Sequence, residues 1–108
     1  MVFSYSAGHG LLLLRSRKTS VYSTRVDVLI QDVRAMELRT WFEGLEIVEV
    51  GPEYLRKSRS NPIEMVEPGN KIYAMNGAEW HGFIVGGVIS VHEDEDDYMA
   101  PSKLLDNR

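Results

Sequence analysis

The stretch Thr24 to Val50, TRVDVLIQDVRAMELRTWFEGLEIVEV, holds the densest run of branched and large apolar residues in the chain, and its reading decides the fold. Val26, Val28 and Ile30 fall on one face of an extended backbone, with Arg25, Asp27, Leu29 and Gln31 on the other. Strand side chains alternate between faces, so this is a strand with one face in the core. Leu29 makes the outer face partly apolar, so that face should be covered as well. At Asp32-Val33 the phase shifts, and apolar residues then fall at Val33, Met36 and Leu38. A β-bulge does this by adding one residue. The rival over residues 32–43 is a helix from an Asp32 N-cap to a Gly44 stop. Its apolar residues scatter around the helical wheel and form no single stripe, so strand is the preferred reading. Leu45 to Val50 is a second strand, and the three segments are expected to form an antiparallel meander.

Working outward toward the N-terminus, Val2–Tyr5 reads as an edge strand or a tie-down of the terminus, and Gly8-His9-Gly10 as a tight turn. Leu11–Leu14 reads as a strand buried on both faces. Lys18-Thr19-Ser20 is a polar turn, Val21-Tyr22 resumes the extended chain, and residues 11–17 pair with 21–31 as a hairpin. Asp27 lies inside the strongest strand and is expected to pair with Arg25 or Arg15.

Beyond Val50, Gly51-Pro52 breaks the strand. Pro52–Ser58 forms a turn or two of helix with Tyr54 and Leu55 packed down. Residues 56–70 are a long connection anchored by Ile63, Met65 and Val66. Asn76-Gly77 between extended runs is the preferred two-residue hairpin signal, which sets Tyr73 opposite Trp80. The next strand, Phe83 to Val91, is interrupted by Gly86-Gly87, as at a bulge or a close backbone approach. Glu93–Asp97 is read as a solvated acidic loop, and Pro101-Ser102 as the start of a short final helix.

The fold expected is mainly β: a small antiparallel barrel or two-layer sandwich of about six to eight strands with one or two short helices. One domain spans 1–108, with 93–108 an acidic loop and C-terminal tail packed on it or extending from it.

Composition narrows the function. The 108 residues are 44% hydrophobic and 26% charged, ordinary for a globular domain. The absence of cysteine excludes disulfides and any cysteine nucleophile or zinc ligand. Residues 1–39 carry six basic and three acidic side chains, while 40–108 carry six basic and thirteen acidic, for a net charge of −4. That balance disfavours nucleic acid as the main partner and favours a basic protein. No secretory signal or membrane-length apolar run is present, so a cytoplasmic protein is expected.

No catalytic motif is found. His9, His81 and His92 are not at metal-ligand spacing, and Glu93–Asp97 lacks the pattern of a calcium loop. No nucleophile elbow or phosphate-binding glycine loop occurs. Arg56, Lys57 and Arg59 form a small basic cluster that reads as a solvated helix end. No metal or cofactor is therefore expected.

The residues singled out for partner binding are Trp41, Phe42, Tyr73 and Trp80, with the acids Glu93, Asp94, Glu95, Asp96 and Asp97. Tryptophan and tyrosine carry much of the energy at interfaces. Whether Trp41 and Phe42 are core or surface stays open. The expected function is a non-enzymatic protein-binding module, as in a bacterial inhibitor or immunity-type protein acting on a basic partner. The alternative is a small-ligand β-barrel or small enzyme with a pocket near His81 and Gly86-Gly87. Self-assembly through an exposed edge at Val2–Tyr5 is a third reading.

Overall fold

A computed structural model describes residues 1–18, 21, 23–58 and 61–106. Thr19, Ser20, Tyr22 and Arg59, on which parts of the expected turn, strand and basic cluster fall, lie outside them. The described residues form eight strands: β1 (Val2–Ser6), β2 (Leu11–Arg15), β3 (Arg25–Ile30), β4 (Ala35–Glu37), β5 (Glu46–Val50), β6 (Lys71–Asn76), β7 (His81–Gly86) and β8 (Ile89–Asp94). Two short helices, α1 (Glu53–Arg56) and α2 (Lys103–Asp106), and a 3₁₀ turn at Pro62–Met65 complete the chain. None of these helices is long and apolar enough to cross a membrane. The strands make two antiparallel sheets, ordered β1-β2-β3-β8 and β4-β7-β6-β5. The mainly-β expectation holds, but a closed barrel does not. No ladder among the described residues joins the outer strands, and β1 meets the 38–45 segment through a bond from Val2 N–H to Thr40 O (2.8 Å) and through shared core packing.

The phase shift at Asp32-Val33 marks the corner between the sheets. Strands β3 and β8 pair from Arg25↔Asp94 to Ile30↔Ile89, and pairing resumes in the other sheet at Ala35↔Val85. Four residues on one side of the corner therefore face three on the other, the one-residue excess of a bulge. Asp32 takes a left-handed φ of 54° there. Gly86 and Gly87 let the backbones close: a Cβ on either would lie 3.3 Å from Gln31 O.

Residues 32–43 contain the short strand β4 and no helix. The expected meander is not formed: β3 pairs with β2 and β8, β4 with β7, and β5 with β6. Because β7 and β8 run alongside both halves of the corner, the central stretch finds its partners far along the chain.

The Asn76-Gly77 hairpin also differs in register. Asn76 pairs with His81 and Tyr73 with Ile84, not with Trp80. The loop runs through Trp80, whose carbonyl accepts from Gly77 N–H at 3.0 Å. Trp80 folds back over Gly77, where a Cβ would sit 1.8 Å from the indole Nε1, and packs on Phe42 with ring centroids 5.4 Å apart. Burying the indole against the core outweighs the tighter turn.

Alternation then builds the interior. Leu12, Leu14 and Ile30 from one sheet meet Tyr73, Met75 and Ile84 from the other. The opposite faces of β6 and β7 supply Ile72, Phe83 and Val85, which α1 covers through fully buried Leu55, with Ile63 and Val66 alongside. The outer face of the first sheet is closed too, with Leu13 and Leu29 buried. It also carries Arg15, Arg25 and Asp27, each buried. The hairpin of β2 and β3 places Arg15 directly opposite Asp27.

Candidate functional site

The two valines that face inward from β3, Val26 and Val28, form one wall of a groove of about 680 Å³. Leu45 and Ile47, leading into and along β5, form the opposite wall, and Trp41 and Phe42 close one end. The groove exists because the two sheets part on this side of the corner and the 38–45 connection bridges them without filling the space. Phe42 is half-buried against Trp80, whereas Trp41 is 58% exposed. The rim carries Glu43, Glu93 and Arg17. Glu93 accepts a hydrogen bond from the Thr24 hydroxyl. Arg17 stacks over the Tyr98 ring at 5.1 Å. The lining thus offers aliphatic contact, two aromatic faces, two carboxylates and the Arg17 guanidinium, a chemistry of adhesion.

Behind the groove, on the other face of the same strands, lies a clamp of two arginines. Arg15 grips Asp27 through both carboxylate oxygens, Nε to Oδ1 at 2.6 Å and Nη2 to Oδ2 at 3.0 Å. Its Nη1 donates to the carbonyls of Tyr98 (2.5 Å) and Ala100 (2.9 Å). Arg25 grips Asp94 in the same way, at 2.6 and 3.2 Å. It donates to the carbonyls of Asp97 (2.9 Å), Ala100 (2.7 Å) and Pro101 (3.0 Å). The Phe3 ring lies under the Arg15 guanidinium at 4.0 Å. Arginine suits this task because its planar fork serves a carboxylate and main-chain oxygens at once.

These contacts set the local electrostatics. Burial alone would raise the Asp27 carboxyl, but hydrogen bonds from Arg15 and Ser102, with the charges of Arg15 and Arg25, hold it below the usual range. The hydrogen bond from Arg25 brings Asp94 down to about 2.

The sequence-derived candidates separate on this frame. Trp41, Phe42 and Glu93 come together at the groove, with Trp80 packed behind Phe42. Tyr73 is buried, and its hydroxyl donates to Gly87 O at 2.8 Å, pinning the corner. The acidic run is not a free solvated loop. Glu93 and Asp94 belong to β8, the Asp94 side chain is 9% exposed, and Asp96 lies 3.5 Å from Arg25. Glu95 and Asp97 offer main-chain carbonyls to Lys18 and Arg25. A buried Arg25 needs a counter-charge, and β8 brings it. Asp27 takes Arg15 as its hydrogen-bonded partner, the second of the two expected choices.

His81, Gly86 and Gly87 do not line the groove. Gly86 and Gly87 are packed on the Ile30–Asp32 backbone, and His81 Nδ1 sits 2.9 Å from Asn76 Oδ1 at the hairpin. Among the described residues no three or more histidine, aspartate or glutamate side chains are arranged to hold a metal ion. Sequence reasoning missed the arginine clamp and the segment it holds. The signal was there in part: Arg25, Asp27 and Leu29 share a strand face that the apolar Leu29 already marks as covered. No protein-family model, curated protein or solved structure matches this chain at a significant level.

Proposed function

We propose that this chain is a non-enzymatic binding module that takes apolar side chains of a partner protein into the groove beside Trp41 and Phe42. The carrying observation is Trp41 itself, a tryptophan 58% exposed at the end of an apolar groove of about 680 Å³. Exposed apolar concavities rimmed by polar groups are where proteins bind, and tryptophan is a favoured anchor. Glu43 and Glu93 on the rim and a net charge of −4 favour basic residues flanking the inserted side chains. In its narrower form the protein is an inhibitor or immunity-type module that masks a basic protein in the cytoplasm. The two sheets are read as the layers of a sandwich, with the groove at its open side.

The test is a pull-down from lysate at low and moderate salt, with the wild type and Trp41→Ala side by side. A basic protein retained at low salt, weakened by salt and lost from Trp41→Ala is the expected result. A partner retained equally by both proteins removes the groove from the account. The second reading is a small apolar ligand, which the groove volume accommodates. Native mass spectrometry finding a bound small molecule, with no protein partner at either salt, decides for it.

A further inference from the structure

One wall of the groove ends at the β8 edge of its sheet, and α2 also packs against β8. Strand β8 pairs with β3 on one side, and no strand among the described residues lies on the other. The direction of its main-chain groups follows from its neighbours. Val26 N–H donates to Ser16 Oγ, and Val26 O accepts from Ser16 N–H, so the polar groups of Val26 face β2. In an antiparallel ladder these groups alternate from residue to residue, so those of Arg25 and Asp27 face β8. Their opposite numbers, Asp94 and His92, therefore face β3, and Val91 and Glu93 turn their N–H and C=O outward. The bond from Gln31 N–H to Val88 O, at 3.0 Å, has the same phase.

One side chain of this edge belongs to the groove. Glu93 lines it, and Val91 stands opposite Val28, which also lines it. Val91 is 64% exposed. An apolar surface thus continues from the groove to a strand edge whose donors and acceptors point outward. This is the arrangement used when a peptide joins a sheet, with main-chain bonds supplying affinity and alternate side chains supplying selectivity.

We infer that the partner binds as an extended segment added antiparallel to β8, with alternate aliphatic side chains over the groove and a lysine or arginine opposite Glu93. The inference rests on the binding-module reading above and specifies its mode. Antiparallel addition continues the pattern of every strand pair in both sheets. Charge selects the occupant: a second copy would bring a further net −4 to the edge, whereas a basic segment is attracted to it.

The probe is a capped peptide of about eight residues in which valines alternate with threonines and one terminal valine is replaced by lysine. In antiparallel addition the residues opposite Val91 and Glu93 point their side chains to the groove and their N–H groups to β8. N-methylation of the valines therefore removes the edge bonds, and N-methylation of the threonines leaves them. Binding is read by isothermal titration calorimetry. The expected result is about tenfold or greater weakening for the valine-methylated peptide and about twofold or less for the other. Val91→Pro, which removes an outward donor from an edge strand, should weaken the unmodified peptide similarly with an unchanged circular dichroism spectrum.

Equal binding by both methylated peptides overturns edge addition and leaves the groove reading standing. So does failure of the unmodified peptide to bind while the lysate partner is still retained through Trp41. A dimer that grows with protein concentration and that the peptide does not dissociate overturns it in favour of a second copy. Absence of any partner in the pull-down is a separate failure, that of the binding-module reading itself.

Discussion

Replacing Arg15 by leucine removes a side chain with no solvent exposure that holds both oxygens of a carboxylate exposed to 1%. Three groups then lose a donor. Asp27 keeps Ser102 and the more distant charge of Arg25, and the Ala100 carbonyl keeps Arg25 at 2.7 Å. The Tyr98 carbonyl loses the arginine contact and can turn to water as its segment loosens. The dominant cost is therefore the stranded carboxylate, and breaking a buried pair from one side typically costs about 3–5 kcal/mol. Against a total stability of roughly 5–15 kcal/mol for a domain, that is a large share. Urea titration should show the midpoint falling with little change in slope. The double variant Arg15→Leu with Asp27→Leu removes both charges and should recover most of the loss, to within about 1–2 kcal/mol of wild type. Hydrogen exchange at the amides of residues 98–100 should nonetheless stay fast in the double variant, because the Arg15 contacts to the Tyr98 and Ala100 carbonyls are not restored. A single variant that loses under about 1 kcal/mol, or a double variant as unstable as the single, refutes the clamp argument.

Further outcomes follow from the same geometry. Asp27 and Asp94 both ionise more readily folded than their ordinary value of 3.8, Asp94 at about 2, so each stabilises the fold above that value. Their contribution should fade as pH falls from about 4 toward 2, and Asp94→Asn should flatten that part of a stability–pH curve measured by urea titration. Gly82→Ala places a Cβ 2.0 Å from the Glu37 carbonyl oxygen, so β4 must move off β7, at an expected loss of about 1–3 kcal/mol by thermal melt. Trp41→Ala should leave the melting temperature nearly unchanged while removing partner binding. Phe42→Ala, stripped from Trp80 and the core, should lower stability measurably in the same melt.

Local pattern carried much of this fold. The alternation of Val26, Val28 and Ile30, the run Leu11–Leu14, the Gly51-Pro52 break and the phase shift at Asp32-Val33 each reflect a rule acting over a few residues. Each reappears in the structure as a strand, a helix start or the corner. The β2–β3 hairpin was legible, but the long-range partners were not, because β3 meets β8 across 59–69 residues of chain and β4 meets β7 across 46–50. Nothing within the central stretch encodes that choice. The Asn76-Gly77 turn misled for a related reason: a two-residue loop satisfies the backbone locally, while the Trp80 indole is buried by a longer one. At the candidate site, the aromatic pair was legible as residue types at odds with a connection. The groove around it was not, since its walls come from β3 and β5, which lie in different sheets. The acidic run read as solvated because its counter-charge, Arg25, lies about seventy residues earlier.

The clamp touches residues 97–101 almost wholly through carbonyl oxygens, atoms that every amino acid carries. Apart from Tyr98, whose ring packs on Phe3 and Arg17, attachment of this segment is therefore nearly indifferent to which side chains it bears. Met99, 76% exposed between two clamped carbonyls, shows the freedom this leaves. Such a segment can accumulate substitutions without detaching, so its outward surface can diversify while the fold beneath it is held constant.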